Sequence, residues 1–291
     1  MSARESQPHP HLLALGAIAL WSSLASLGVA LSHLPPFFLT GLSLAVGGLI
    51  ALPLSGFKLA AWRVPLPTLA LGVYGLFGYH FLLFVALRHA PPVAANLVNY
   101  LWPLLMVVLA PLVLPGVRLR WQHVAAAVVG FAGAAVVILG QAPSHSTSTP
   151  LAGNTLWGYL AAAAAAFMWA SYSLLTRRVA HFPTAAIGTF AWVSGALSLL
   201  CHVWLETPVS LTLGDGLLIG LMGLGPMGAA FFLWDKALKT GDARHIGILS
   251  YLTPLLSTSL LLWVTDSGFS GSVGLAALLI VGAAWVGTRV K

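Results

Sequence analysis

Apolar stretches of about 20 residues recur along this chain from His11 to its C-terminal end, separated only by short polar or proline-rich punctuation. A hydrocarbon core of roughly 30 Å is crossed by about 20 helical residues, so each stretch has the length of one membrane span. Charge agrees with this reading. Only 7% of the residues are charged and 59% are apolar, whereas a soluble domain carries about a quarter charged residues.

Spans are predicted at 11–31, 36–54, 66–88, 92–114, 121–140, 154–176, 184–204, 215–237, 243–264 and 271–288. Pro35-Pro36, Pro65 with Pro67, Pro91-Pro92 and a Ser/Thr/Pro-rich stretch at 141–153 mark connections between them. Residues 1–10 read as a short cytoplasmic tail. They lack the basic n-region of a secretory signal, and the apolar run behind them is too long for an h-region.

The positive-inside rule tests the span count. With the N-terminus cytoplasmic, Arg4, Lys58, Arg63, Arg118, Arg120, Arg177, Arg178, Lys236, Lys239, Arg244, Arg289 and Lys291 fall inside, and only Arg88 falls outside. Missing one helix would invert every later assignment, so both termini are predicted cytoplasmic. The formal net charge of +7 follows from this topology and forms no cluster dense enough to track a nucleic acid. The single cysteine, Cys201, excludes a disulfide framework.

The chain also repeats itself. Shifted by 151 residues, Ala86–Leu105 meets Ala237–Leu256 with seven identities in twenty positions, among them Tyr100/Tyr251 and Pro103/Pro254. Trp21-Ser22-Ser23 matches Trp169-Ala170-Ser171 at an offset of 148. Each half holds five spans, an odd number, so the second half crosses in the opposite sense. The boundaries are 11–140 for the first repeat, 141–153 for a periplasmic linker and 154–291 for the second repeat. Inverted repeats of this kind are a recurring build of secondary transporters, with the substrate near the midplane between the halves.

The W-x-S opening of each half and the Y-L-x-P-L-L in each fourth helix resemble the EamA-type units of the drug/metabolite transporter superfamily. The resemblance covers essentially the whole chain, as two tandem units. Tyr79-His80 and Tyr100-Leu101-Trp102-Pro103 make it most similar to the bacterial aromatic amino acid exporters of the inner membrane. The resemblance implies an all-α membrane protein of ten transmembrane helices around one central cavity, exporting metabolites. Such units often carry Gly-Glu after the fourth helix, where this chain has Pro115-Gly116 and Asp266-Ser267.

Residues at i, i+3, i+4 and i+7 share a helix face. Asn96, Asn99 and Tyr100 fall on one face of the fourth span with Trp102 beside it. Ser250 and Tyr251 fall on the matching face of the ninth, and Trp169 and Tyr172 on the sixth. Polar side chains in hydrocarbon turn toward a cavity or toward other helices, and the hydroxyls fit either role. Seven tryptophans lie near span ends, where an aromatic belt is the usual location: Trp62, Trp121, Trp157, Trp204, Trp234, Trp263 and Trp285. Trp21, Trp102, Trp169 and Trp192 lie near the midplane, either as packing or as the wall of an aromatic cavity.

The candidate substrate contacts are therefore Trp21, Tyr79, His80, Asn96, Asn99, Tyr100, Trp102, Trp169, Tyr172, Trp192, Ser250 and Tyr251. Pro103, Pro226 and Pro254 are candidate hinges, because each removes a helical hydrogen bond. Every Asp and Glu lies near a span end or in a loop, and no Lys or Arg lies at mid-span, which points to a neutral or zwitterionic solute. The resemblance implies that this solute is an aromatic or other neutral amino acid or a related metabolite. Aromatic cations are the alternative, and a passive channel is the weaker reading. No motif for a metal, a nucleophile or a nucleotide phosphate occurs, so neither cofactor nor catalysis is expected. The partners expected are the small solute and the bilayer, with a monomer the favoured unit.

Overall fold

The computed structural model describes residues 9–140, 155–264 and 271–290. Most of the tail at 1–10 and all of the linker at 141–153 lie outside these residues. Ten apolar helices account for the fold: α1 Pro10–Ala30, α2 Pro36–Leu54, α3 Leu66–His89, α4 Pro92–Val113, α5 Trp121–Gly140, α6 Thr155–Leu175, α7 Thr184–Leu205, α8 Leu213–Thr240, α9 Ala243–Val264 and α10 Gly271–Gly287. Each boundary lies within three residues of its sequence expectation, and no strand occurs among the described residues.

Direction along the membrane normal can be read from contacts at the helix ends. The His11 ring, at the start of α1, lies 5.9 Å from that of His245, and His245 Nε2 is 3.1 Å from the Val290 carbonyl. The start of α1 and the residues that follow the last turn of α10 therefore lie at one face, the terminal face. Arg177, just past the end of α6, donates to the Gly241 carbonyl between α8 and α9 at 3.1 Å. Thus α6 arrives at the face from which α1 departs, and the two halves are inverted.

Packing obeys the same symmetry. The first helix of each half packs on the third and fourth of the other: α1 on α8 and α9, α6 on α3 and α4. The self-matching pairs α2–α7, α4–α9 and α5–α10 complete the bundle. Gly41 and Gly195 allow the close α2–α7 approach. A Cβ on Gly195 would lie 2.9 Å from the Gly41 carbonyl oxygen, and one on Gly41 would lie 3.1 Å from that of Gly195.

Irregularities recur at the repeat offset. A π-helical turn interrupts α3 at Tyr74–Gly78 and α8 at Gly225–Ala229, positions 151 residues apart. The helical backbone of α4 breaks at Tyr100–Leu101 and that of α9 at Ser250–Tyr251. Pro103 and Pro254 lie just beyond these breaks and lack the N–H groups that would bond the carbonyls of Asn99 and Ser250. The helical backbone of α1 is interrupted at Ser23, where the Ser22 and Ser23 hydroxyls donate to the carbonyls of Ala19 and Leu20 at 2.6 and 2.7 Å.

Candidate functional site: an aromatic-floored cavity

A cavity of about 490 Å³ lies between the halves. Its walls come from the later parts of α1, α3 and α9, the earlier parts of α2, α4 and α8, and Trp169 of α6. Apart from residues near mid-helix, those parts lie toward the face opposite the terminal face, so the cavity opens there.

Trp21, Tyr79, His80, Asn96, Asn99, Tyr100, Trp102 and Trp169 all line it. Four expected contacts do not. Tyr172 is buried behind the floor, its ring 5.4 Å from that of Trp169. Trp192 is 40% exposed on the outside of α7; it donates to the Ala45 carbonyl at 2.9 Å and meets the Trp62 ring at 4.9 Å. Depth alone suggested the cavity, but the rotation of α7 turns Trp192 away. Ser250 donates to the Ile246 carbonyl at 2.8 Å, and the Tyr251 ring lies against Phe131 and the Gly130 backbone. These two are the repeat counterparts of Asn99 and Tyr100, and they are sealed because the cavity opens on one side only.

The floor is a set of mutually packed rings. Trp21 lies 5.8 Å from Trp169 and 5.1 Å from Trp234, Trp102 lies 5.7 Å from Trp234, and Phe231 lies 5.8 Å from Trp169. Offset and edge-on pairs of this kind contribute about 0.5–1.5 kcal/mol each beyond area burial. Trp234 was expected in the headgroup belt; it is only 1% exposed and donates to Ser173 Oγ at 3.1 Å. Trp62, also expected in the belt, is buried and donates to Ser55 Oγ at 3.2 Å. The other five belt tryptophans are exposed.

Beneath the floor lies a charged group that sequence reasoning placed near a span end. Asp235 is buried within α8, and its Oδ2 receives Lys239 Nζ at 2.7 Å and Thr184 Oγ1 at 2.7 Å. Lys239 also donates to the Phe182 carbonyl at 2.9 Å and sits 3.7 Å above the Phe182 ring. Extending the 151-residue register along α3 and α8 could have found both residues, because it pairs Trp234 with the cavity residue Leu83, and Asp235 with Phe84.

Tyr79, His80, Asn99 and Thr253 bring polar atoms to the same cavity. Asn99 Nδ2 donates to the Tyr79 hydroxyl at 3.1 Å, leaving the buried Asn99 Oδ1 without a protein partner. The hydroxyl of Thr253, another lining residue, also has no protein partner. His80 Nδ1 lies 2.6 Å from the Leu76 carbonyl. A carbonyl can only accept, so Nδ1 carries the hydrogen and Nε2 of the neutral ring is an acceptor. No Asp, Glu, Lys or Arg lines the cavity, and no metal-holding cluster of His, Cys, Asp and Glu occurs among the described residues. The site offers aromatic faces and hydrogen-bond acceptors, a combination that suits an ammonium group and a flat side chain.

An inverted repeat of ten membrane helices around a cavity open to one face is the build of a secondary transporter. The chain belongs to the EamA-like transporter family, which matches it twice, over residues 10–139 and 156–288. It is 43% identical to the aromatic amino acid exporter YddG of Ancylobacter novellus, over 95% of this chain and 96% of that one. It is 26% identical to the aromatic amino acid exporter YddG of Escherichia coli K12, over 96% and 97%. A crystal structure superposes with a TM-score of 0.88 at 42% identity, covering 97% of this chain and 98% of the other.

Proposed function

We propose that this transporter exports aromatic and other neutral amino acids across a bacterial inner membrane by alternating access. The terminal face is then cytoplasmic and the cavity is open to the periplasm. The observation that carries the reading is the cavity's composition: a tryptophan floor, a set of acceptors and no lining charge. An aromatic side chain stacks on Trp21, Trp102 and Trp169, while the ammonium meets Asn99 Oδ1 and His80 Nε2. Its relatives' names point to the same solutes.

Pro103, Pro226 and Pro254 serve as the bending points, each at or beside a helix irregularity shared by the two halves. The reading assigns the chain no catalysis, cofactor or metal, and takes a single chain as the working unit. The ring-rich floor also suits aromatic cations, which is the second reading.

Efflux from cells tests the proposal. Cells expressing the protein and fed a phenylalanine-containing dipeptide should lower their internal phenylalanine faster than control cells. Equal phenylalanine efflux, with faster loss of an aromatic cation such as ethidium, would favour the second reading. A reporter active only in the cytoplasm, fused after Lys291, should be active.

A further inference from the structure

The two halves match in sequence, irregularities and packing, yet the cavity opens on one side only. What differs between equivalent positions therefore marks how the open side and the closed side are held. Lys239 stands 151 residues after Arg88, and each is a cation in the last turn of the third helix of its half. Phe182 stands 148 residues after Leu34, within His181-Phe182-Pro183 and His33-Leu34-Pro35, the segments that lead into α7 and α2.

On the closed terminal face, Lys239 joins α8 to the segment before α7 through the Phe182 carbonyl at 2.9 Å, its ring at 3.7 Å, and Asp235. On the open face Arg88 makes no hydrogen bond to the segment before α2 among the described residues. Phe84 and Leu87 of α3 and Pro36 and Leu39 of α2 line the cavity, and the Phe37 ring of α2 packs on that of Phe84 at 5.2 Å. Arg88 reaches instead to Glu206 Oε1 at 3.5 Å, with its side chain 46% exposed. That carboxylate is otherwise occupied: it accepts from the Phe37 and Phe38 backbone N–H groups at 2.9 and 3.1 Å and lies 3.0 Å from His202.

We infer that Lys239 and Arg88 are the paired locks of the transport cycle. Lys239 holds the terminal face shut in the present state. When that face opens, Arg88 leaves Glu206 and closes the opposite face on the backbone carbonyl of Leu34. The locks are unequal. Lys239 has a buried carboxylate four residues back, where Arg88 has Phe84, so the state seen here is the favoured one in the absence of solute.

The inference rests on the alternating-access reading, and its test separates the two. Spin-label pairs at Ser32 with His89 and at Ala180 with Thr240, in a Cys201→Ser background, report the separations at the open and closed faces. In the native protein the closed-face separation is the shorter, and saturating phenylalanine populates the exchanged state. Lys239→Gln should raise the exchanged population relative to the resting one on the order of tenfold, near the low end of the coupling between two-state elements. Lys239→Arg should stay close to native, and adding Arg88→Gln to Lys239→Gln should reverse the shift. Arg88→Gln alone should lower the exchanged population that phenylalanine induces. If the native distances exchange but either single glutamine variant leaves the populations unchanged, the locks are refuted and alternation stands. If phenylalanine is transported while neither distance ever exchanges, alternation itself fails, and the locks with it.

Discussion

Trp21 and Trp169, which open the matching segments of the two halves, meet edge to face at the centre of the molecule with ring centroids 5.8 Å apart and planes at 76°. Trp169 also touches Phe231, Tyr79 and Tyr172, so it ties the cavity wall to the floor. Trp169→Ala should cost about 3–5 kcal/mol of stability, the usual range for an emptied tryptophan site. It should also abolish saturable transport. Trp169→Phe, which keeps a ring, should retain most of the stability and raise KM. Thermal unfolding in detergent and transport kinetics check both.

Asn99 gives a cleaner test of the cavity's acceptors, because its Oδ1 is buried with no protein partner. Asn99→Leu removes that acceptor and the donor to Tyr79 Oη. A buried hydrogen bond to a charged group contributes about 1.5–3 kcal/mol, so KM for phenylalanine should rise at least about tenfold. An unchanged KM would remove Asn99 from the site.

Gly75 lies in the π-helical turn of α3 under the ring of Tyr172, where a Cβ would stand 2.2 Å from the ring Cγ. The ring belongs to a buried side chain and cannot swing away freely. Gly75→Ala should therefore destabilise by about 1–3 kcal/mol, the usual cost of overpacking. Gly220 has nothing within 4 Å of its Cβ position. Gly220→Ala should leave the melting temperature within a degree or so of native.

Asp242 joins two loops of the terminal face. Its carboxylate accepts from Arg244 Nη2 at 2.6 Å, and the same guanidinium donates to the Arg118 carbonyl. Burial pushes this carboxyl up, but hydrogen bonds from the Arg244 side chain and backbone, with the charges of His245 and Arg244, outweigh it and hold the group at about 2 against an ordinary 3.8. The folded pKa is depressed, so the ionised group stabilises the fold above 3.8, and that contribution is lost as pH falls through about 2. Asp242→Asn should be less stable than native from about pH 5 to 8, and the margin should shrink as pH falls and be largely lost near pH 2. Paired melting curves across that range decide it.

The spans were legible because hydropathy is a local property of 20-residue windows, and the parity of the count fixed the inversion. Helical periodicity also brought out the Asn96–Asn99–Tyr100 face of α4. Rotation about a helix axis was not legible, since it depends on what packs against the helix. The belt rule reports depth only, so it placed Trp234 and Trp62 at the headgroups although both are buried, and depth likewise drew Trp192 into a cavity it does not face. Ser250 and Tyr251 have the same local sequence setting as Asn99 and Tyr100. Only the three-dimensional state decides which pair lines the cavity.

The most direct test of the central claim is uptake of radiolabelled phenylalanine into liposomes containing the purified protein, with and without a pH gradient. The charge-free cavity predicts saturable uptake without any gradient, inhibited by unlabelled tryptophan and absent in Trp169→Ala. Uptake that requires the gradient would contradict a cavity working without proton coupling. No phenylalanine uptake under either condition would contradict the amino acid assignment itself.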